Sequence, residues 1–187
     1  MANNSITDFI TKFNGGTRIN RFNVAGNIGG RTTGTATPFN DFHITAASLP
    51  SAQVGAISIN YRGRSISYPG DRVYAPWQIV VLDENPNGKK VIGAKTIYGA
   101  FHDWHQKINA HSSNTTVSVS PGNHFASNVW NVTQYDVNGT TPIRTFSLHN
   151  CWPLQVGPIE LDMNKDNIIG SFAVTIVYSH YTLNGVN

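Results

Sequence analysis

His102, Asp103, His105 and His111 form the chain's densest cluster of metal-ligating side chains. Two histidines three residues apart sit one helical turn from each other, a spacing at which they can share a metal ion. No third ligand follows at fixed spacing, and a helical wheel places His105 beside an apolar stripe, so packed histidines are the expectation. Asp83-Glu84 and the Glu160/Asp162 pair offer carboxylates of the kind used in acid–base chemistry. Adjacent residues of a strand point to opposite faces, which separates Asp83 from Glu84. Glu160 and Asp162 would share a face, yet nothing beside them opposes an acid to a base. Cys151 with His149 has the composition of a nucleophile and its base, and two residues apart on one strand both would point the same way. No oxyanion-binding motif accompanies them, so a buried structural thiol is expected. The stretch from Gly26 to Gly34 lacks both Walker and dinucleotide-loop spacing. These residues predict neither an active site nor a cofactor or metal site.

A chain of 187 residues fits one domain, 1–187, and can bury a hydrophobic core without staples. Charged residues make up 12% of it, about half of the usual ~25%. Asn, Ser, Thr and Gly take their place, and a surface with so little charge associates easily because little repels a neighbour. The formal net charge is +3, with Lys12, Arg18, Arg21 and Arg31 near the N-terminus and only Asp8 among them. A nucleic-acid-binding arm would be denser and interleaved with stacking aromatics, so a solvated basic end is the reading. Cys151 is the single cysteine, which excludes an internal disulfide. The first residues lack a signal-peptide pattern, and no run approaches the ~20 apolar residues of a spanning helix. The acceptor-like Asn114-Thr-Thr, Asn131-Val-Thr and Asn138-Gly-Thr triplets are what chance gives in an Asn/Thr-rich chain.

Periodicity predicts a short helix carrying Ile6, Phe9, Ile10 and Phe13 within an N-terminal arm (1–17), and strands near 19–25, 39–47 and 54–61. With Arg62-Gly63 as a tight turn, Ile57 faces Tyr68, Ile59 faces Ile66 and Tyr61 faces Arg64; a three-residue loop would shift that register. Tyr68-Pro69-Gly70-Asp71 fits a type II turn. The strand 75–84 has apolar residues on both faces and should be covered on both. Asn85-Pro86 predicts a helix start, and Ala94, Ile97, Tyr98, Phe101, Trp104, His105 and Ile108 recur at helical spacing. The segment 112–123 is polar and predicts a loop or weak hairpin. Strands 129–135 and 143–150 pair around Asn138-Gly139, with Phe146 and Leu148 on a dry face and Thr145, Ser147 and His149 on a wet one. A last strand, 168–181, alternates Phe172, Val174, Ile176 and Tyr178 with small residues, before a flexible tail (182–187). The fold class expected is mainly β (α+β), an antiparallel β-sandwich or barrel with one packed helix.

Two segments rich in glycine, proline and aromatics stand out: 67–77, with Gly70-Asp71-Arg72, Tyr74 and Trp77, and 152–162, with Trp152-Pro153, Val156-Gly157 and Leu161-Asp162. Together with Phe172, Val174 and Tyr178 they resemble the tail tube protein of contractile-tailed bacteriophages. The resemblance spans roughly Arg18 to Tyr181. It implies hexameric rings stacked into a hollow tube, an inner wall formed as one continuous β-barrel, and a conduit through which double-stranded DNA passes without specific binding. The implied partners are further copies of the chain, the tail sheath protein, the tape measure protein, the baseplate and the tail terminator, in a virion assembled in the host cytoplasm. No cofactor is implied. Contact between subunits or rings is expected at Ile57, Ile59, Tyr61, Arg62, Arg64, Ile66, Tyr68, Asp71 and Arg72. Thr145, Ser147 and His149 are the lumen-facing candidates, since a lumen rich in basic contacts would stall a polyanion. A tube of a bacterial contractile injection system and, behind it, a β-sandwich carbohydrate-binding module are the alternatives.

Overall fold

The computed structural model describes residues 6–13, 16–28, 43–83, 96–116 and 129–184. In chain order the elements are α1 (Ile6–Phe13), β1 (Phe22–Gly26), β2 (Ile44–Ala47), β3 (Ala52–Tyr61), β4 (Arg64–Tyr74), β5 (Trp77–Leu82), α2 (Ile97–Ile108), β6 (Val129–Tyr135), β7 (Pro142–His149), β8 (Trp152–Val156), β9 (Ser171–Val177) and β10 (His180–Leu183). Ten antiparallel strands make two four-stranded sheets, β1-β6-β7-β10 and β2-β5-β9-β8, and a separate two-stranded ribbon, β3-β4. The architecture is mainly β with one packed helix, as expected, and neither sheet closes into a barrel within the protomer.

Alternation explains the core. In β5 Trp77, Ile79 and Val81 are buried, in β9 Phe172, Val174 and Ile176, and in the first sheet Val24, Trp130, Val132 and Leu148. Trp77 and Trp130 meet edge to face across the two sheets, ring centroids 6.0 Å apart. The other face of β5 is half-buried at Val80 and Leu82, less covered than the sequence suggested. Helix α2 inserts Phe101 and Trp104 into the same core; Phe101 lies against Trp130 of one sheet and Phe172 of the other. Its cap is Thr96, whose hydroxyl accepts from the Gly99 N–H at 3.0 Å. The cap expected at Asn85-Pro86 lies outside the described residues, as does Ala94. By contrast α1 buries none of its side chains. No described helix is long and apolar enough to cross a membrane.

Two strand pairs switch sheets together. β7 pairs with β10 in the first sheet and β8 with β9 in the second, so both connections cross at one corner. Asn150, at φ 57°, turns one crossing, and its amide donates to the Ser179 hydroxyl on the other at 3.2 Å. The expected single strand 168–181 is therefore two strands in different sheets. Thr182 and Leu183, expected in a flexible tail, belong to β10 and pair with Ser147 and Phe146.

Candidate assembly interface

The β3-β4 ribbon is the least buried part of the described β-structure: neither strand contains a buried residue. Its register pairs Tyr61 with Arg64, Ile59 with Ile66 and Ile57 with Tyr68, the two-residue-turn alternative. Arg62 at φ 48° and Gly63 at φ 79° both take positive φ, which the right-handed twist of the flanking strands demands of a two-residue turn. Pro69 and Gly70 do not form the expected type II turn; they lie within β4, where Pro69 pairs with Ala56 and Gly70 and Asp71 sit opposite Gly55 at a bulge. Proline and glycine carry the same signature for a bulge as for a turn.

Ile57, Ile59, Ile66 and Tyr68 share one face, and Ser58, Asn60, Ser65 and Ser67 the other. Ile57, Ile59, Tyr61, Ile66 and Tyr68 remain between 44% and 60% exposed. Covering side chains of this size at half exposure is worth roughly 1 kcal/mol each, about 5 kcal/mol over the five. An isolated two-stranded hairpin is at best marginally stable in water, so a face of this kind calls for a partner. The Arg62 guanidinium lies 5.3 Å from the Tyr61 ring centre. Among the described residues Arg62, Arg64, Arg72 and Asp71 have no ion-pair partner within the protomer.

The ribbon is exposed, yet its base is fixed. The Ser51 carbonyl accepts from the Ala75 N–H at 3.2 Å and from the Tyr178 hydroxyl at 3.2 Å. The Trp77 indole N–H donates to the Ser48 carbonyl at 2.6 Å. Tyr74 contacts Tyr178 and Tyr181, with centroids 5.8 and 5.5 Å away. Burial, then Tyr181, Cys151 and Tyr74, push the Tyr178 hydroxyl up to about 12, so it stays a donor. Tyr74, Trp77 and Tyr178, singled out in the sequence as motif positions, thus anchor the ribbon to the sandwich.

A second surface is the outward face of the β1-β6-β7-β10 sheet. Thr145, Ser147 and His149 lie on it, as the alternation predicted, and the register adds Asn23, Asn131, Thr133, His180 and Thr182. Hydrogen bonds run across it: Thr133 to Thr145 at 3.2 Å, the Ser147 hydroxyl to the Asn131 side-chain oxygen at 2.7 Å, and His149 to Thr182 at 3.3 Å. Asn131 and Thr133 were not singled out, although the polar alternation of β6 carries the signal that could have found them. His180 and Thr182 were missed because the last strand read as continuous.

Of the chemically suggestive clusters, the fold separates Cys151 from His149 and keeps the α2 histidines close, the His105 and His111 rings 6.4 Å apart. Cys151 is not on one strand with His149: the Asn150 turn buries the thiol, which donates to the Leu148 carbonyl at 3.4 Å, while His149 stays on the polar face. Burial pushes the thiol up to about 12, which leaves it a poor nucleophile. On α2 the Asp103 carboxylate is engaged by Lys107 at 2.9 Å, and His102 packs edge-on against Tyr98. The described residues contain no group of three or more potential metal ligands.

A family model described as phage tail tube protein matches residues 18–184. The tail tube protein of Enterobacteria phage T4 is 26% identical over 140 residues, 75% of this chain and 79% of that protein. A chain of the PVC extracellular contractile injection system sheath-tube complex shares the fold at a TM-score of 0.55 and 15% identity, over 97% of this chain and 99% of that one. A chain of the anti-feeding prophage baseplate, solved with six-fold symmetrisation, does so at a TM-score of 0.61 and 12% identity, over 92% and 97%.

Proposed function

The chain belongs to the phage tail tube protein family, a structural and non-catalytic component of a tube-forming injection apparatus, and we propose that it polymerises as stacked hexameric rings in which the β3-β4 ribbon joins neighbouring copies. The observation that carries this is the ribbon itself: an apolar face left half exposed, unpaired arginines, and a rigid anchor holding both in place. In a ring the interface closes by rotation, while stacking along the axis stays open. Among the described residues the edge strands β1 and β10 each pair with a strand on one side only. Pairing the β10 edge of one copy with the β1 edge of the next continues the sheet around the pore and removes both edges. Thr145, Ser147 and His149 then line the lumen, presenting hydroxyls and imidazole rather than fixed positive charge to a passing polyanion.

The sequence relative named above is a phage tail tube protein, whereas the two solved folds belong to an extracellular contractile injection system and to an anti-feeding prophage baseplate. The injection-system tube, ranked second on the sequence, has the stronger support from the fold, and neighbouring genes for capsid or effector proteins discriminate between the settings. Sheath, baseplate and terminator components are the partners this reading implies; the cargo is a genome with its tape measure protein in one setting and effectors in the other. Charge reversal at Arg62→Glu with Arg64→Glu tests the interface. The expected result is a folded protomer that no longer polymerises, seen as loss of tubes in negative-stain micrographs. Unchanged polymerisation rules the ribbon out as the contact.

A further inference from the structure

Deepening the lumen assignment above and resting on it, we propose that the paired imidazoles of His149 and His180 form an acid-gated contact for phosphate polyanions on the polar face of the β1-β6-β7-β10 sheet. Around the pair the face is built of neutral groups. Asn23, Asn131, Thr133, Thr145, Ser147 and Thr182 supply amides and hydroxyls, and the fixed charge that alternates onto it among the described residues is Arg21, at the opposite end of the sheet beside Gly139. The charge at the His149 end is therefore set by the two histidines, and imidazole is the side chain that gains charge between about pH 5 and 8.

The two rings are direct cross-strand partners, stacked with centroids 4.6 Å apart and planes 11° from parallel. Neutral imidazoles tolerate that stacking, and two imidazolium ions at that distance repel. The groups around His149 are Val129 opposite it on β6, Thr182 on β10 and the flanking Asn150 and Ser179, none of them ionisable. Burial first and His180 second hold the His149 ring below its ordinary titration range. While the rings are neutral the pair offers a passing polyanion no charge. A protonated imidazole presents two N–H donors, and a phosphate oxygen bridging the rings offsets their repulsion, so binding draws protons onto the pair. Repetition around a ring multiplies the effect.

The test uses the assembled protein with two probes in separate arms, a short DNA duplex and inorganic polyphosphate, co-sedimented at pH 7.5 and pH 5.5 in constant salt. Retention of both probes should rise on the order of tenfold or more at pH 5.5, fall with added salt, and lose its pH dependence in the double variant His149→Gln with His180→Gln. Absence of acid-dependent retention in the native protein, or its survival in the double variant, overturns the proposal. Histidine ring NMR signals of the native protein, followed as polyphosphate is added at pH 5.5, give a second readout independent of how the variant folds. Unmoved His149 and His180 signals overturn the contact. Micrographs of the same samples separate the two layers: signals that move in a protein forming no tubes support the contact and sink the lumen.

Discussion

At Gly26 a methyl group has no room: an added Cβ would lie 2.2 Å from the Trp130 ring. The obstacle is a fully buried indole that also contacts Trp77 and Phe101, so it cannot swing aside cheaply. Gly26→Ala should therefore cost about 1–3 kcal/mol by overpacking, measured as a lower urea midpoint with an unchanged slope. His102 supplies a second residue-level prediction. Burial, then His105 and His111, lower its pKa from the ordinary 6.5, so the folded state binds this proton less readily than the unfolded chain. Its penalty is absent above pH 6.5 and grows as pH falls through that value towards the lower folded one. The urea midpoint should drop between pH 7.5 and 5.5, and His102→Gln should remove part of the slope; a variant as pH-sensitive as the native protein refutes the assignment.

Among the elements, the ribbon makes the sharpest separation between folding and assembly. Ile59 and Ile66 face each other on its exposed apolar side, and neither belongs to the buried core. Ile59→Asp with Ile66→Asp should leave thermal unfolding of the protomer within a few degrees of native while abolishing tubes, because surface changes away from packed features rarely exceed about 0.5 kcal/mol each. Loss of folding together with assembly would mean the face packs within its own chain. This ribbon was legible in the sequence because strict alternation on both sides of Arg62-Gly63 fixes one register. The bulge at Pro69-Gly70 was misread because a local dihedral signature does not reveal whether the chain reverses. The sheet switch near Ser179 left no trace either: inward-facing residues continue from Phe172 to Tyr178, and no glycine or proline marks the crossing. That crossing is what brings His180 beside His149, so half of the polar face's imidazole pair was hidden. At Cys151 the expected buried thiol is found, but not the orientation shared with His149, since Asn150 redirects the strand and turns the thiol inward. Helix α2 was legible by its aromatic period, and Thr96 rather than a proline signal sets the start that is described.

For the whole molecule, one sandwich carries two unfinished features among the described residues: sheets whose outer strands pair on one side only and a ribbon without a buried residue. Both are liabilities in a solitary protomer, and identical neighbours would satisfy both. Low charge lets the copies approach, and the core that fixes the ribbon's base keeps the contact geometry constant from one protomer to the next. The most direct measurement is a cryo-EM reconstruction of the assembled protein. The account predicts six-fold rings in which β10 of one copy continues into β1 of the next, with Thr145, Ser147 and His149 towards the pore and the β3-β4 ribbon reaching a neighbouring ring. A protein that stays monomeric at high concentration, or a pore wall built without that sheet, would contradict it.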